Sequence, residues 1–246
     1  MTARGYQKNF SAINSSVLDK VDRERKARKI EYVLKKHASF PLQECVLLDV
    51  GSSAGLIAAH LSSFFKQVIG IDYDSLAVFS RESQTIRDRV FMIHGDGLFL
   101  PFKDESIDIV VCTQVYEHVP DDKLLFLEIH RVLRRQGIVF FSGPNWLFPI
   151  EPHYHIPMLH WLPESLANLC LKAIGVNGHY YEQSRHFWSL KRALADFEIK
   201  DAFPDVLAWK VSNVPLLRSL ATKAPSFLLS LLTPLLPNFN WILRKR

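Results

Sequence analysis

Short apolar runs alternate with amphipathic segments through the middle of the chain. The runs "CVLLDV" and "VIGID" are continuously apolar and rich in β-branched residues, which is typical of strands covered on both faces. Between them, "GLIAAHLSSFF" places its apolar residues at helical spacing. The three segments together predict a βαβ unit with a right-handed crossover.

The alternation continues along the chain. Helices are predicted to end near His37, to run from Asp121 or Asp122 to Gly137, and to cover "SLKRALADF". Further strands are predicted at "RVFMIHGD", "SIDIVVCTQ", "IVFFSGPN", "EIKDAF" and "VLAWKVS". This pattern predicts an α/β fold with a Rossmann-like, doubly wound, mostly parallel sheet and helices on both faces. Ligands of such sheets bind at the carboxyl ends of the strands.

Two segments interrupt the pattern. Residues 146–187 are rich in proline, aromatic residues and histidine, which favours an inserted helical lid or substrate segment. Residues 224–243 are apolar, but three prolines exclude a membrane-spanning helix there. Two interpretations of this second segment stay open: a helical segment packed on its own domain, or an in-plane membrane helix that ends in Trp241 and the basic residues 244–246.

These features divide the chain into five parts. The predicted parts are an N-terminal helical leader (1–40), a core (41–145), the inserted segment (146–187), the last helix and strands of the core (188–214) and an apolar C-terminal tail (215–246).

Composition adds little to this picture. The chain has 246 residues, of which 48% are hydrophobic and 22% charged, as in folded globular proteins. Its net charge of +5 is concentrated at residues 23–36 and 244–246, and interleaved acids in the first cluster favour a solvated helix face, so nucleic acid is not an expected partner. Three distant cysteines and the lack of a signal peptide at "MTARGYQKNF" predict a cytoplasmic location.

Three successive strand ends carry an acid: Asp49, Asp72 and Asp96. Small residues 51–55 follow the first and allow a ligand to approach the backbone. Asp72 is placed to accept the hydroxyls of a ribose, and Tyr73 to cover a base. A carboxylate at Asp49 would repel a pyrophosphate. The pattern therefore predicts a nucleoside site without a phosphate.

The same residues carry a family resemblance. "VLLDVGSSAG" resembles the first motif of class I S-adenosylmethionine-dependent methyltransferases, with Ser53 where the family usually has its middle glycine. "VIGIDYD" is similar to the second motif and "HGDGLFLPF" to the adenine-contact segment, while "IDIVVCTQVYEHVPD" and "RVLRRQGIVFFSGPN" are similar to the fourth and fifth strands. The resemblance covers residues 46–145 and implies a seven-stranded sheet with a reversed last strand.

It also implies S-adenosylmethionine as cofactor. The residues expected to bind it are Asp49, Gly51, Ser53, Gly55, Asp72, Tyr73, Asp96, Gly97 and Gln114. Asp49, Gly51 and Gln114 would contact the methionine part, and Asp96 the adenine amino group. Serine at position 53 is expected to weaken or reshape cofactor binding.

The expected catalytic residues follow the fourth strand. His118, with Glu117, is a candidate to take a proton near neutral pH, and the alternative is that His118 only packs there. Candidate substrate-binding residues are Asn145, His153, Tyr154 and His155. The spacing of the histidines in the insert completes no familiar metal-site pattern, so no metal is expected.

The sequence therefore predicts a methyltransferase that acts on a small-molecule or lipid-like acceptor by in-line displacement. Membrane contact through the C-terminal tail is one of the two open interpretations of that segment. The first alternative is a catalytically silent nucleoside-binding or scaffold protein of the same fold. The second is a nicotinamide-dependent oxidoreductase, which would need a three-glycine phosphate fingerprint that "DVGSSAG" lacks.

Overall fold

One mixed β-sheet organises the part of the chain that the structure describes. The computed structural model describes residues 11, 18–86, 88–176, 179–212 and 225–246. The strands are β1 (Val46–Val50), β2 (Gln67–Asp72), β3 (Phe91–His94), β4 (Ile107–Thr113), β5 (Leu133–Pro144), β6 (Phe197–Asp201) and β7 (Asn238–Lys245). Their order is β3-β2-β1-β4-β5-β7-β6, and β7 runs antiparallel to both neighbours while the first five strands are parallel. The predicted fold class is confirmed.

Helices cover both faces of this sheet. They are α1 (Lys20–His37), α2 (Leu56–Leu61), α3 (Ser75–Val78), α4 (Arg81–Gln84), α5 (Asp122–Val132), α6 (Glu164–Ala173), α7 (Phe187–Ala193), α8 (Phe203–Lys210) and α9 (Ser226–Ser230). Ile30 of α1 and Leu61 of α2 are buried in one core cluster, and Ile129 of α5 and Leu190 of α7 in the other. The strands contribute alternate side chains to the two clusters, as a sheet with two covered faces requires.

Capping residues explain where two of the predicted helices begin. Asp19 accepts hydrogen bonds from two backbone amides at the start of α1, and Asp121 does the same at the start of α5. Helix α5 ends at Val132, before the predicted end at Gly137, because Leu133 is already extended and pairs with Ile107 of β4.

The C-terminal region differs most from expectation. The predicted strand "VLAWKVS" is wrong, since most of it belongs to α8. Both interpretations of residues 224–243 predicted a helix, and both are wrong for the C-terminal end of this segment. Residues 238–245 form strand β7, and Trp241 is buried in the core. Residues 1–10 and 12–17 of the predicted leader, and residues 213–224, lie outside the described residues. Among the described helices, none combines the length and the apolarity needed to cross a membrane.

The insert has a small core of its own. It contains a 3₁₀ turn (Leu159–Trp161) and α6, and Leu159, Ala167, Leu171 and Tyr180 pack together as a cluster separate from the two main ones. The helical character predicted for residues 146–187 is therefore present, whereas the five domain boundaries themselves stay a prediction.

Candidate active site

The loop after β1 turns through three left-handed residues. Gly51, Ser53 and Gly55 have φ angles of 73°, 51° and 77°. A Cβ atom on Gly51 would lie 2.4 Å from Cγ2 of Val115, so position 51 needs glycine for space as well as for conformation. Ser53 adopts the same left-handed conformation, which costs free energy for a residue with a Cβ atom. The turn therefore places residues 51–55 at the carboxyl edge of the sheet, with Gly51 and Ser53 half-buried and the other three buried.

Asp49 is the buried acid beside this loop. Burial and the nearby Asp72 raise the pKa of Asp49 to about 8, while Arg23 acts in the opposite direction. Its Oδ2 atom is buried and has no hydrogen-bond partner among the described residues. A buried acceptor of this kind favours a positively charged group close to it.

Asp72, at the end of the neighbouring strand β2, contacts the loop directly. The amide of Ser53 donates to Asp72 Oδ2 at 2.6 Å, and the amide of Asp74 donates to Oδ1 at 2.8 Å. Burial raises the pKa of the Asp72 carboxyl, and these two amides oppose the shift. Tyr73 follows with its side chain 40% exposed at the same edge. Since β1 and β2 are paired, the structure brings Asp49 and Asp72 together as predicted.

The other predicted cofactor residues lie on the strands that flank this pair. Asp96, after β3, is half-buried and accepts a hydrogen bond from the Leu98 amide, and Gly97 lies between Val50 and Leu125. Gln114, after β4, has a φ of 56° and its side-chain amide donates to Oδ1 of Asn238 at 3.2 Å. Asn238 is the first residue of β7, so sequence analysis had no reason to place it at this edge.

Helix α1 contributes charges that the sequence did not indicate. Arg23 is half-buried and close enough to Asp49 for the two charges to interact. Lys29 is further along the helix; its Nζ atom lies 3.1 Å from Oδ1 of Asn240, and burial lowers its pKa to about 8. The prediction of a solvated face holds for Arg25 and Arg28, which are exposed, but not for Arg23 and Lys29. Arg23 and Lys29 are six residues apart, a spacing that does not place them on one helix face, so the sequence offers no signal for the pair.

A second group of titratable residues follows β4. Glu117 is fully buried, and neither of its carboxyl oxygens has a hydrogen-bond partner within the described part of the chain. Burial raises the pKa of Glu117 to about 8, His153 lowers it, and Glu182 and Glu151 raise it further. His118 Nε2 lies 3.7 Å from Glu117 Oε1, and the His118 and His153 rings meet edge to face with centroids 5.0 Å apart.

Glu151 fixes the position of His153. One carboxylate oxygen lies 2.9 Å from His153 Nδ1, and the other accepts from the backbone amides of His153 and Tyr154. Burial alone would lower the pKa of His153, but the hydrogen bond to Glu151 and the charges of Glu182 and Glu117 raise it. Sequence analysis identified neither Glu151 nor Glu182, because single acids in an irregular segment form no motif.

The remaining substrate candidates are more dispersed. Asn145 is buried, and its side chain donates to the carbonyls of Pro234 and Leu236 and accepts from the Leu147 amide. These bonds give Asn145 a structural role in place of the expected substrate contact. Tyr154 is half-buried against Tyr180, and His155 is exposed with a φ of 57°. Of the four candidates, only His153 lies against His118 and Glu117.

A cavity of about 380 Å³ opens beside this second group. Its wall includes Tyr116 and Val119, which flank Glu117 and His118 in the sequence, and Trp146 of the insert. Arg185 also lines the cavity and pairs with Asp122, with Nη2 and Oδ1 2.6 Å apart. The volume is within the range of small-molecule sites.

The family of the core follows from comparison with known proteins. Residues 48–141 match the family described as "Methyltransferase domain", and they contain the Asp49 loop, Asp72, Asp96 and the residues after β4. Over these residues the chain is similar to methyltransferase domains. The match favours this family over the nicotinamide-dependent alternative.

Relatives of this methyltransferase domain include a protein of Mycobacterium leprae (strain Br4923) named as an uncharacterized methyltransferase. It is 31% identical over 129 residues, which are 52% of this chain and 47% of the relative, so the match spans about half the length of that protein.

Solved structures show the same fold. The YcgJ protein from Bacillus subtilis has a TM-score of 0.55 and 16% identity, with coverage of 89% of this chain and 99% of the other. Geranyl diphosphate C-methyltransferase from Streptomyces coelicolor A3(2), solved with Mg²⁺, geranyl diphosphate and S-adenosyl-L-homocysteine, has a TM-score of 0.54 and 17% identity, with coverage of 93% and 80%.

Proposed function

We propose that the chain transfers a methyl group from S-adenosylmethionine to a small-molecule or lipid-like acceptor by in-line displacement. The observation that carries the proposal is the pair of interacting acids at adjacent strand ends, buried Asp49 and half-buried Asp72, with the Ser53 amide of the left-handed loop donating to Asp72. The family match and the presence of S-adenosyl-L-homocysteine in the Streptomyces enzyme support the choice of cofactor.

The residues at this edge fit the cofactor. The unpartnered Oδ2 of Asp49 suits the positively charged methionine end, which Gly51, Ser53 and Gly55 would approach from the loop after β1. Arg23, whose charge interacts with that of Asp49, would hold the methionine carboxylate, and Gln114 would contact the same end of the cofactor. Asp72 would accept the ribose hydroxyls, Tyr73 would cover the base, and Asp96 with Gly97 would receive the adenine. When bound, the cofactor supplies a methyl group made electrophilic by its sulfonium.

The chain's own residues align and deprotonate the acceptor. The site would have to hold the acceptor atom in line with the transferable methyl group and keep water away from it. His118 takes the proton that a hydroxyl acceptor loses, and Glu117 beneath it stabilises the resulting imidazolium. His153 would form the part of the site that the insert contributes, with Tyr154 and His155 next to it in the sequence. The histidine pair would act only on acceptors that must lose a proton.

The acceptor is proposed to be apolar in part. The cavity combines the apolar side chains of Tyr116, Val119 and Trp146 with polar lining residues such as Arg185 and Asp122, and the insert exposes further apolar side chains such as Trp161 and Leu169. The Streptomyces relative in fold acts on geranyl diphosphate, an isoprenoid, which supports the same class. We also propose peripheral contact with a membrane surface through the exposed apolar side chains of the C-terminal region, namely Phe227, Leu228, Leu231, Leu232 and Leu235.

Isothermal titration with S-adenosylmethionine and S-adenosyl-L-homocysteine tests the cofactor site. Asp72→Ala should remove binding, and Arg23→Ala should weaken it about 10-fold or more, because a charged hydrogen bond contributes about 1.5–3 kcal/mol. The matched controls are Asp104→Ala and Arg25→Ala, which change exposed residues of the same types. Unchanged affinity in Asp72→Ala would refute the assignment, and no binding by the wild-type chain would favour the silent scaffold alternative.

A further inference from the structure

Three potential ligand atoms converge beside β4 from two distant parts of the chain. Glu117, His118 and His153 each offer one such atom, and these atoms lie within 4.8 Å of one another. Glu117 and His118 follow β4, whereas His153 comes from the insert, so the group exists only in the folded protein. The His118 and His153 side chains are 14% and 12% exposed, which leaves one side of the group open to solvent.

The surroundings of the three residues favour a cation. Glu117 is fully buried and, among the described residues, neither of its oxygens has a hydrogen-bond partner. Glu151 and Glu182 are also buried and interact electrostatically with Glu117 and His153. Buried carboxylates are normally paired or bound to a metal ion, and a carboxyl group with two unsatisfied oxygens requires such an explanation.

Glu151 also prepares His153 as a ligand. Its carboxylate lies 2.9 Å from His153 Nδ1 and so fixes the orientation of the ring, with Nε2 as the second ring nitrogen. A carboxylate bonded to the second nitrogen of a metal-binding histidine is the usual outer partner in zinc sites. Two imidazole nitrogens and one carboxylate, with an open fourth position, form a ligand set typical of catalytic zinc.

We propose that Glu117, His118 and His153 bind a divalent transition-metal ion, with Zn²⁺ as the best match to their ligand atoms. Bonds of about 2.0–2.2 Å place the ligand atoms of a tetrahedral site about 3.3 Å apart, so small side-chain rotations complete the group. In the proposed methyl transfer, the open position would hold an oxygen of the acceptor. That role rests on the proposed function, whereas ion binding itself does not.

His118 would either bind the metal ion or accept the proton of the acceptor, but not both at once. In the metal-loaded form His118 is a ligand, and only in the metal-free form is it able to act as the base described above. This inference replaces the expectation that no metal binds, which considered the histidines of the insert alone and missed the carboxylate that approaches from β4.

The experiment measures zinc binding by the full chain after treatment with a chelator. Titration with Zn²⁺ against a chromophoric competitor should give one tight equivalent, and Co²⁺ should give the visible absorption bands of a four- or five-coordinate site. His118→Ala and His153→Ala should each weaken Zn²⁺ binding at least 100-fold and remove the Co²⁺ bands. Glu117→Gln, which keeps the shape of the buried side chain, should weaken Zn²⁺ binding at least 10-fold.

The matched control is His60→Ala, because His60 also pairs with a carboxylate, Glu31, at 2.8 Å, but on helices α1 and α2. This variant should still bind one equivalent of Zn²⁺ as tightly as wild type does. Equal Zn²⁺ affinity in wild type, His118→Ala and His153→Ala would overturn the proposal, as would loss of binding in His60→Ala to the same extent. Thermal unfolding checks that each variant folds, and titration with S-adenosylmethionine in the same samples keeps the result separate from the cofactor assignment.

Discussion

Ser53 is the residue at which the chain departs from the glycine pattern it resembles. The structure keeps the left-handed conformation there, with a φ of 51°, and uses the Ser53 amide to hold Asp72. The family's middle glycine is thus replaced without a change in the turn. The expectation of reshaped cofactor binding stays a prediction, because the described contacts involve the backbone of Ser53 and not its hydroxyl.

Replacing Ser53 by glycine should stabilise the protein. Relief of the left-handed strain outweighs the added freedom of the unfolded chain, so Ser53→Gly should raise the free energy of unfolding by about 0.5–1 kcal/mol. Urea denaturation measures the change. Ser53→Ala is the control, since it removes the hydroxyl and keeps the strain; a Gly variant no more stable than the Ala variant would contradict the explanation.

Asp49 should make stability depend on pH. Its pKa is about 8 in the folded state and near 3.8 when unfolded, so only the unfolded chain loses this proton between these values. The contribution of Asp49 to the free energy of unfolding is fully present below pH 4 and is lost as the pH rises through 8. One pKa unit corresponds to about 1.4 kcal/mol. The free energy of unfolding of Asp49→Asn should therefore rise, relative to that of wild type, by up to this amount for each pH unit.

Urea denaturation of both proteins at pH 5, 6.5 and 8 measures this difference. The stability advantage of Asp49→Asn should grow with pH, while its affinity for S-adenosylmethionine should fall. An advantage that is the same at all three pH values would mean that Asp49 is ionised in the folded protein.

The sequence indicates which predicted site residues lie close together where their motifs are short and contiguous, and their functional roles stay predictions. Asp49, the loop after it and Asp72 lie in two short motifs, and parallel pairing of β1 with β2 brings them together. Arg23, Glu151 and Asn238 belong to a helix, an irregular segment and an unpredicted strand. Only tertiary packing brings these three to the same edge, so no local pattern marks them.

At the level of elements, β7 is the part that local patterns did not identify. Three prolines and a leucine-rich composition precede it, and the whole segment has the hydrophobicity of an amphipathic or interfacial helix. The strand forms because β5 and β6 both offer hydrogen-bonding edges to it. The reversed last strand implied by the family resemblance was correct, but it was assigned to residues that form α8.

Trp241 should therefore be a core residue for stability. It is 1% exposed, and its ring stacks on Phe239 with centroids 4.7 Å apart. Trp241→Ala should lower the free energy of unfolding by about 3–5 kcal/mol, as expected for a buried aromatic residue. Trp188→Ala, at a residue that is largely exposed, is the control and should cost much less. Equal effects in denaturant titrations would argue against the β7 assignment.

The whole molecule combines a net charge of +5 with an exposed apolar stretch near α9. Leu231 and Leu235 are both 69% exposed, and such side chains add to the attraction between a basic protein and anionic lipids. With Trp241 buried, Leu231 and Leu235 are among the exposed apolar residues that the described part of the C-terminal region offers for the proposed membrane contact.

Co-sedimentation with anionic vesicles tests this contact. Leu231→Ser with Leu235→Ser should reduce binding at least 10-fold, since each buried leucine contributes about 1.5–3 kcal/mol. Leu76→Ser with Leu127→Ser changes two other exposed leucines and should leave binding unchanged. Equal sedimentation of the two double variants would remove these leucines from the membrane proposal.

The position of β7 between β5 and β6 also determines the order of events during synthesis. The parallel strands β1 to β5 are able to pair as they leave the ribosome, but β6 has no neighbour in the sheet until β7 has been translated. Until then, the apolar edge of β5 from Val139 to Pro144 is unpaired and open to association with other nascent chains. Ribosome stalling shortly before residue 238 should therefore be a characteristic route to aggregation, and chaperone demand should peak late in translation.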